Sequence, residues 1–453
     1  MQQNDILAHL GIDALSPMQE QAAQACADHR QLVLLAPTGT GKTLAYLLPV
    51  VEELMRGAPK LLAPTQEATR GVPSVLVLVP THELAAQTAH VVKAMQGGIR
   101  VLACYGGRPV MEEQRLLRTL QPQLVVATPG RAADHLREAH IDGTRIRTLV
   151  IDEFDKCLQL GFQRQMSEVI DLLPRLNRRI LLSATDDPRI PAFAGQHFHR
   201  LDFTPSNADP RLRLHALHAP QKDKLSTLRA LLCHIGSHPS IVFVSHRQSV
   251  GRVASYLSAE GFAVSAFHGG LEQSVRERAL ARFAGGSALT LVATDLAARG
   301  LDIPGVEHVV HYHLPLDADT FTHRNGRSAR WDSHGEVWMI LAPDEQCTHL
   351  PTDAHTLDDL TEADLLTAPL ATPPQPLWIT LYIGRGKRDK VSKGDVAGFL
   401  SKVGGLSHHE LGRIDVADRW AYAAVARQRA EDVLLRVQGQ KIKGMKTIVQ
   451  KTH

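Results

Sequence analysis

Ala36-Pro37-Thr38-Gly39-Thr40-Gly41-Lys42-Thr43 decides how this chain folds. The apolar run Leu32-Val33-Leu34-Leu35 precedes it, and Leu44-Ala45-Tyr46-Leu47-Leu48 follows. Strand, glycine-rich turn and helix therefore succeed one another, which is the setting of a phosphate-binding loop. Gly39 and Gly41 let backbone N–H groups turn inward where a side chain would block a phosphate. Thr38 and Thr40 complete the loop. Lys42 can reach the β- and γ-phosphates, and Thr43 can place its hydroxyl on Mg²⁺. The general pattern has Gly at position 36, and this chain has Ala36.

Outward from the loop a rhythm repeats. Short apolar runs end in polar tips: Val75–Val79 before Pro80-Thr81, Leu124–Ala127 before Thr128-Pro129-Gly130-Arg131, Leu149–Ile151 before Asp152-Glu153, and Ile180–Leu182 before Ser183-Ala184-Thr185. Each run has the length of a buried strand, with helical stretches between, which predicts a doubly wound parallel sheet. Functional groups gather at the carboxyl ends of such strands. Asp152 can hold Mg²⁺, and Glu153 can orient and deprotonate an attacking water. Upstream, Gln19 offers a donor and an acceptor to a base edge.

After a linker at Phe203–Pro210 the rhythm restarts through Ile241–Val244, Leu289–Ala293, Val309-Val310 and Val337–Leu341, giving a second α/β domain without a phosphate loop. Arg324, Arg327 and Arg330 lie close together there, and a loose phosphoryl transition state needs such charge from outside the loop. A proline-rich stretch around Ala368–Pro376 leads to a tail of different character. Its order reads β-α-β-β-α-β: Trp378–Ile383, Lys393–Val403, Ile414–Val416, Ala421–Val425, Gln428–Val437 and Ile442–Val449. That is a small ferredoxin-like sandwich, the order of RNA-recognition modules.

Bulk properties fit this division. The net charge is +3, yet from Thr372 onward 15 Lys+Arg face 7 Asp+Glu. A basic tail on a mildly acidic body points to a polyanionic partner. Five scattered cysteines without a CxxC pair argue against a disulfide framework or a zinc module. His408-His409 reads as a solvated turn. No stretch has the length of a membrane span, and no leader is evident, so a cytoplasmic protein is expected.

The ordered motifs resemble those of DEAD-box RNA helicases across residues ~10–345: Gln19, Ala36–Thr43, Pro80–Ala85, Thr128–Arg131, Asp152-Glu-Phe-Asp155, Ser183–Thr185, Ala293–Asp302 and His323–Arg330. The resemblance implies two tandem RecA-like domains, over 1–204 and 205–368, then a linker (369–376) and an RRM-like domain (377–453). It implies that Gln19 reads adenine and Asp302 the ribose, that Lys42 and Glu153 are catalytic, and that Arg327 and Arg330 meet the γ-phosphate. Ser183, Thr185, Asp155 and His323 would couple hydrolysis to strand separation. Pro80, Thr81, Glu83, Gly106, Gly107, Thr128, Pro129, Gly130, Arg131, His246, Arg247, His268, Gly269 and Thr294 would grip the RNA backbone. The tail is similar to the RNA-binding module of DbpA-type bacterial helicases, which implies a large-subunit rRNA target, pre-ribosomal particles and a monomer. Tyr382, Lys387, Arg388, Tyr422, Lys441 and Lys443 are its candidate contacts. An ATP-gated RNA clamp and a DNA helicase are the alternatives.

Five departures stand out. Phe154 replaces a small Ala and adds bulk behind the Mg²⁺ site. His82 replaces an Arg, Ala329 a Gly, and Trp331 a small residue. Residues 1–18 contain no Phe, Tyr or Trp to stack on adenine.

Overall fold

A computed structural model describes residues 3–37, 40–56, 73–107, 109–184, 190–204, 212–295, 306–328, 335–346, 357–365 and 372–452. The chain divides into two compact units near residue 206.

In the first unit, seven strands form one parallel sheet: β1 (Gln31–Leu35), β2 (Val75–Leu78), β3 (Val101–Cys104), β4 (Leu124–Ala127), β5 (Thr148–Ile151), β6 (Arg178–Ser183) and β7 (His199–Asp202), in the order β3-β4-β2-β5-β6-β1-β7. Both faces are covered. Leu32, Leu34 and Ala36 face one core with the helix Lys42–Met55, whereas Val33 and Leu35 face a second core. Burial on both faces is why the central strands read as apolar runs. Ahead of the sheet, Pro17–Asp28 is a helix with a capping box closed by Ser16 and Gln19.

The second unit repeats the pattern. Strands β8 (Leu212–His218), β9 (Ser240–Phe243), β10 (Val264–Phe267), β11 (Thr290–Ala293), β12 (His308–His311), β13 (Gly335–Leu341) and β14 (Leu357–Thr361) run in the order β10-β11-β9-β12-β13-β8-β14. Counted within each unit, the strand order is the same as in the first sheet.

The tail belongs to the second unit. Strands β15 (Trp378–Ile383), β16 (Leu411–Val416), β17 (Ala421–Ala426) and β20 (Val449–Lys451) form an antiparallel sheet ordered β16-β17-β15-β20. Leu381, Ile383, Ala423 and Val425 pack on Val396, Phe399 and Leu400 of the helix Lys393–Lys402 and on Val433 and Val437 of the helix Ala430–Val437. The sequence reading expected one closing strand from Ile442 to Val449. The structure has instead a hairpin, β18 (Lys441–Ile442) with β19 (Met445–Lys446), followed by β20. Lys443 at φ 49° and Gly444 at φ 78° make the two-residue turn that breaks the strand.

Candidate nucleotide and RNA sites

The phosphate loop leaves the end of β1, where Ala36 N–H donates to the Ser183 carbonyl (3.1 Å). Gly41, at φ 86°, caps the helix Lys42–Met55, a conformation that favours glycine. Lys42 is 8% exposed, and its ammonium bonds back to the Ala36 and Pro37 carbonyls, the latter at 3.1 Å. Thr40 Oγ1 donates to the same Pro37 carbonyl (2.8 Å). The lysine therefore rests where phosphate oxygens would take it over. Thr38 and Gly39 lie outside the described residues.

Across the sheet, Asp152 follows β5 and is 2% exposed. Glu153 N–H donates to its Oδ1 (2.9 Å), and Thr43 Oγ1 stands 3.5 Å from its Oδ2. Burial raises the Asp152 pKa, and Lys42 opposes that rise. Glu153 takes a left-handed conformation (φ 50°, ψ 50°), strained for a residue with a Cβ. Phe154 puts its bulk behind this site. Its ring packs with Leu35, Leu78 and Ile151 in the core on the sheet face away from the Lys42–Met55 helix. Asp155 pairs with the buried Lys156 (3.2 Å), and Ser183 ends β6.

Gln19 is 2% exposed and spans two elements. Its Oε1 accepts from Ser16 N–H (2.9 Å), and its Nε2 donates to the Gly41 carbonyl (3.3 Å). One N–H and one lone pair remain for a base. The amide thus ties the helix Pro17–Asp28 to the phosphate loop, a role the sequence reading missed.

Neighbouring strands β3, β4 and β2 carry the first unit's RNA candidates at their carboxyl ends. Thr81 Oγ1 caps the helix His82–Ala94 by accepting from Leu84 N–H (3.2 Å), and Glu83 sits in that helix's first turn. Pro80 precedes that cap. The His82 ring stacks on Tyr105 at 5.4 Å and lies beside Gly106, where an added Cβ would meet His82 Nε2 at 3.2 Å. Gly107 turns at φ 88°. Pro129 begins the helix Pro129–Arg137, and nothing lies within 4 Å of a Cβ built on Gly130, so this helix start is open. The Arg131 guanidinium turns inward to Glu113 (3.1 Å).

The second unit does the same with β10, β11 and β9. His246 caps the helix Arg247–Ala259. Arg247 and His268 both border Gly270, where a Cβ would stand 3.3 Å from Arg247 Nη1 and 3.2 Å from His268 Nδ1. Burial first, then Arg247, lowers the His268 pKa. Gly269 is exposed beside them, and Thr294 follows β11. Of the three clustered arginines, Arg324 is taken by structure. It holds Asp295 through two bonds (2.5 and 2.9 Å) and the His313 carbonyl (2.7 Å), and it is 3% exposed. His323 is buried in the same helix, Ala318–Asn325, and Arg327 is buried just beyond it. Thr185, Asp302, Ala329, Arg330 and Trp331 lie outside the described residues.

Comparison with known proteins matches residues 16–191 to the DEAD/DEAH box helicase family, 223–332 to the helicase conserved C-terminal domain and 380–451 to the DbpA RNA binding domain. ATP-dependent RNA helicase DbpA of Escherichia coli is 32% identical over 445 residues, spanning 97% of this chain and 94% of that protein. The chain belongs to the DEAD-box RNA helicases of the DbpA type. RhpA of Helicobacter pylori, a DEAD-box ATP-dependent RNA helicase, is 32% identical over 341 residues, 74% of this chain and 66% of that one. Among solved structures, S. cerevisiae Dbp5 bound to RNA and ADP BeF3 has a TM-score of 0.68 at 25% identity, covering 80% of this chain and 94% of that chain. The phosphate loop and polar strand ends are thus those of an RNA-dependent ATPase.

In this helicase the tail's sheet does not leave its second face open. Ser287 Oγ and Thr380 Oγ1 are 2.7 Å apart and buried. A Cβ on Gly285 would come within 2.9 Å of Thr380 Oγ1, and one on Gly286 within 3.1 Å of the Trp378 ring. The sheet face is therefore seated on the turn that leads into β11. Tyr422 is 7% exposed, lies edge-on to Tyr382 at 6.0 Å, and has its phenol pushed up to about 12 by burial and by Glu277 of the helix Gln273–Ala284. Of the candidate contacts, Tyr422 is therefore spent on packing. Basic groups gather on another edge. Lys387 and Arg388 are exposed on a 3-10 turn, Lys443 Nζ donates to the Lys390 carbonyl (2.7 Å), and Arg385 donates to the Lys446 carbonyl (2.8 Å). These bonds join the turn to the β18–β19 hairpin, which also carries Lys441. Among the described residues no helix is long and apolar enough to cross a membrane.

Proposed function

We propose that this helicase locally unwinds or remodels 23S rRNA during large-subunit assembly, acting in the cytoplasm as a monomer and associating with pre-ribosomal particles. The observation that carries the reading is the joined basic edge of a tail matched to the DbpA RNA binding domain. Lys387, Arg388, Lys441 and Lys443 hold a structured RNA there, with Tyr382 of β15 as a further candidate contact, and so raise the local concentration of duplex near the two α/β domains. The functional divisions are 1–204, 205–368 and 377–453.

In the engine, ATP replaces the carbonyls that hold Lys42. Glu153 orients water, while Arg327 and Arg330 stabilise the developing charge, so turnover requires the two units to come together. RNA backbone is held by the strand ends around Thr81, Gly107, Gly130, Arg247, Gly269 and Thr294. RNA and ATP then bind cooperatively, because each completes the same closed state.

Thr43 and Asp152 fit a magnesium ion. They offer hard oxygen donors side by side, and the burial that raises the Asp152 pKa marks a carboxylate lacking a full counter-charge. When bound, Mg²⁺ supplies charge neutralisation at the phosphates.

The test is charge reversal. Lys387→Glu with Arg388→Glu is expected to lower affinity for an rRNA fragment about tenfold and to reduce the salt slope by roughly two, with basal ATPase unchanged. Unchanged affinity across a salt titration contradicts the assignment.

A further inference from the structure

Glu113 is a buried carboxylate that the nucleotide site does not use. It lies in the helix Val110–Leu120 and is 0% exposed. Three donors converge on it: Tyr105 N–H to Oε1 (2.9 Å), Arg131 Nη1 to Oε2 (3.1 Å) and His135 Nε2 to Oε2 (2.8 Å). A buried carboxylate costs several kcal/mol unless it is paired and hydrogen-bonded. Here the partners come from two separate segments. Tyr105 immediately precedes Gly106-Gly107 after β3. Arg131 and His135 belong to the helix that opens at Thr128 after β4. Neither pairing follows from the β3–β4 ladder, whose register ends at Cys104↔Ala127.

We propose that Glu113 is a positioning residue for RNA binding, locking the Gly106-Gly107 turn and the Thr128–Arg131 helix start into one rigid rim. The proposal rests on the reading that these two segments hold the RNA backbone. On the first side, the bond to Tyr105 N–H fixes where the chain leaves β3 for the left-handed Gly107 turn. On the second side, Glu113 withdraws the Arg131 guanidinium from the surface, to 11% side-chain exposure, and leaves backbone N–H groups at an open helix N-terminus facing outward. The family resemblance implies that Arg131 itself grips the RNA backbone. The structure gives its side chain to Glu113, so this segment meets phosphate through its backbone. Cys104, Glu113 and His135 also hold potential metal-ligand atoms within 4.8 Å of one another. Arg131 and Tyr105 already fill the carboxylate, and a cation there would face the guanidinium, so the cluster is an anchor.

The experiment measures binding of a labelled single-stranded RNA, with a non-hydrolysable ATP analogue, to the full chain carrying Glu113→Gln, Glu113→Asp or Gly130→Asp, alongside ADP affinity without RNA. Glu113→Gln sets an amide N–H against donors; Glu113→Asp keeps the charge but shortens its reach. Both are expected to weaken RNA binding about tenfold and to raise the RNA concentration for half-maximal ATPase equally, with ADP affinity and saturated turnover nearly unchanged. Gly130→Asp tests the underlying reading by placing an anion at the open helix start. If it weakens RNA binding while both Glu113 variants bind normally, the proposal falls and the reading stands. If none of the three weakens binding, both fall. Equal loss of ADP and RNA affinity in the Glu113 variants marks domain stability alone and overturns the proposal; if Glu113→Gln does not fold, Glu113→Asp decides.

Discussion

The two parallel sheets share one strand order, yet a glycine-rich phosphate-loop sequence follows the first strand of the first sheet and not that of the second. The difference lies at matching strand ends. After β1 comes a glycine-rich loop, and Lys42 rests on backbone carbonyls that a phosphate can replace. After β8 comes Ala219-Pro220-Gln221-Lys222-Asp223-Lys224. Lys224 also opens a helix, Leu225–Ile235, but its ammonium is locked to Glu345 (2.7 Å) and to the Ile340 carbonyl (2.9 Å). Burial lowers its pKa against the pull of Glu345. Where β5 ends in Asp152-Glu153, β12 ends in Tyr312-His313. The scaffold is duplicated, and the chemistry follows from a few residues at the tips. By contrast, the strands that carry RNA candidates, β3-β4-β2 and β10-β11-β9, occupy the same places in both sheets.

Breaking this comparison should give its largest effect at the two lysines. Lys42→Ala is expected to lower ATPase at least about a hundredfold without unfolding the first unit. Lys224→Met should leave the phosphate site intact but destabilise the second unit by about 1–3 kcal/mol, because Glu345 loses its partner. ATPase assays and thermal unfolding of both variants check this. Equal catalytic loss in the two would erase the distinction.

Asp152→Asn sharpens it next. The raised folded pKa means that the neutral form is favoured, so wild-type stability is lost as pH rises through that pKa. The variant should therefore abolish turnover yet unfold a few degrees higher near neutral pH, by about 1 kcal/mol, with the advantage vanishing under acid conditions. A lower melting temperature at neutral pH would contradict the assignment of burial as the dominant cause.

The second unit should respond to acid in its own way. His311 accepts from Arg324 at Nδ1 (3.0 Å) and bonds Asn325 through Nε2 (2.8 Å), and burial lowers its pKa to about 3. His313 is lowered to about 4, again chiefly by burial. With folded pKa values below the unfolded one, both contribute stability above about pH 6.5 that is lost as pH falls toward the folded values. Thermal unfolding from pH 7 to pH 5 should show this loss, and His311→Asn should reduce its slope.

Smallest is the tail's seat on the second unit. Ser287 Oγ also donates to the Arg282 carbonyl (3.1 Å), so Thr380 is the donor between the two hydroxyls. Thr380→Val keeps the shape and strands one acceptor, at about 1 kcal/mol. Faster proteolysis of the 369–376 segment with unchanged basal ATPase is the expected outcome.

Central strands were legible because burial on both faces writes continuous apolar runs. Edge strands were not. β7 (His-Arg-Leu-Asp) and β14 (Leu-Asp-Asp-Leu-Thr) are polar, and β3 (Val-Leu-Ala-Cys) and β10 (Val-Ser-Ala-Phe) carry small residues in runs of four; β8, paired between β13 and β14, mixes Arg and His into its apolar run. The phosphate loop and Asp152-Glu153 were legible because their chemistry is local. Glu113 was not, since nothing local separates it from the adjacent, partly exposed Glu112. Nor could spacing alone separate Arg324 from its neighbours, because its partner Asp295 arrives from another strand end. Nor could the sequence say which core takes up the Phe154 ring, because its neighbours Leu35, Leu78 and Ile151 come from three different strands.

One measurement tests the central claim most directly: steady-state ATPase of the full chain with no RNA, with unstructured RNA, and with a large-subunit rRNA fragment carrying candidate hairpins, each beside its DNA equivalent. The account predicts strong stimulation by the rRNA fragment, weaker stimulation by unstructured RNA and little by DNA. Equal stimulation by any RNA, or a preference for DNA, would contradict a tail-directed rRNA helicase.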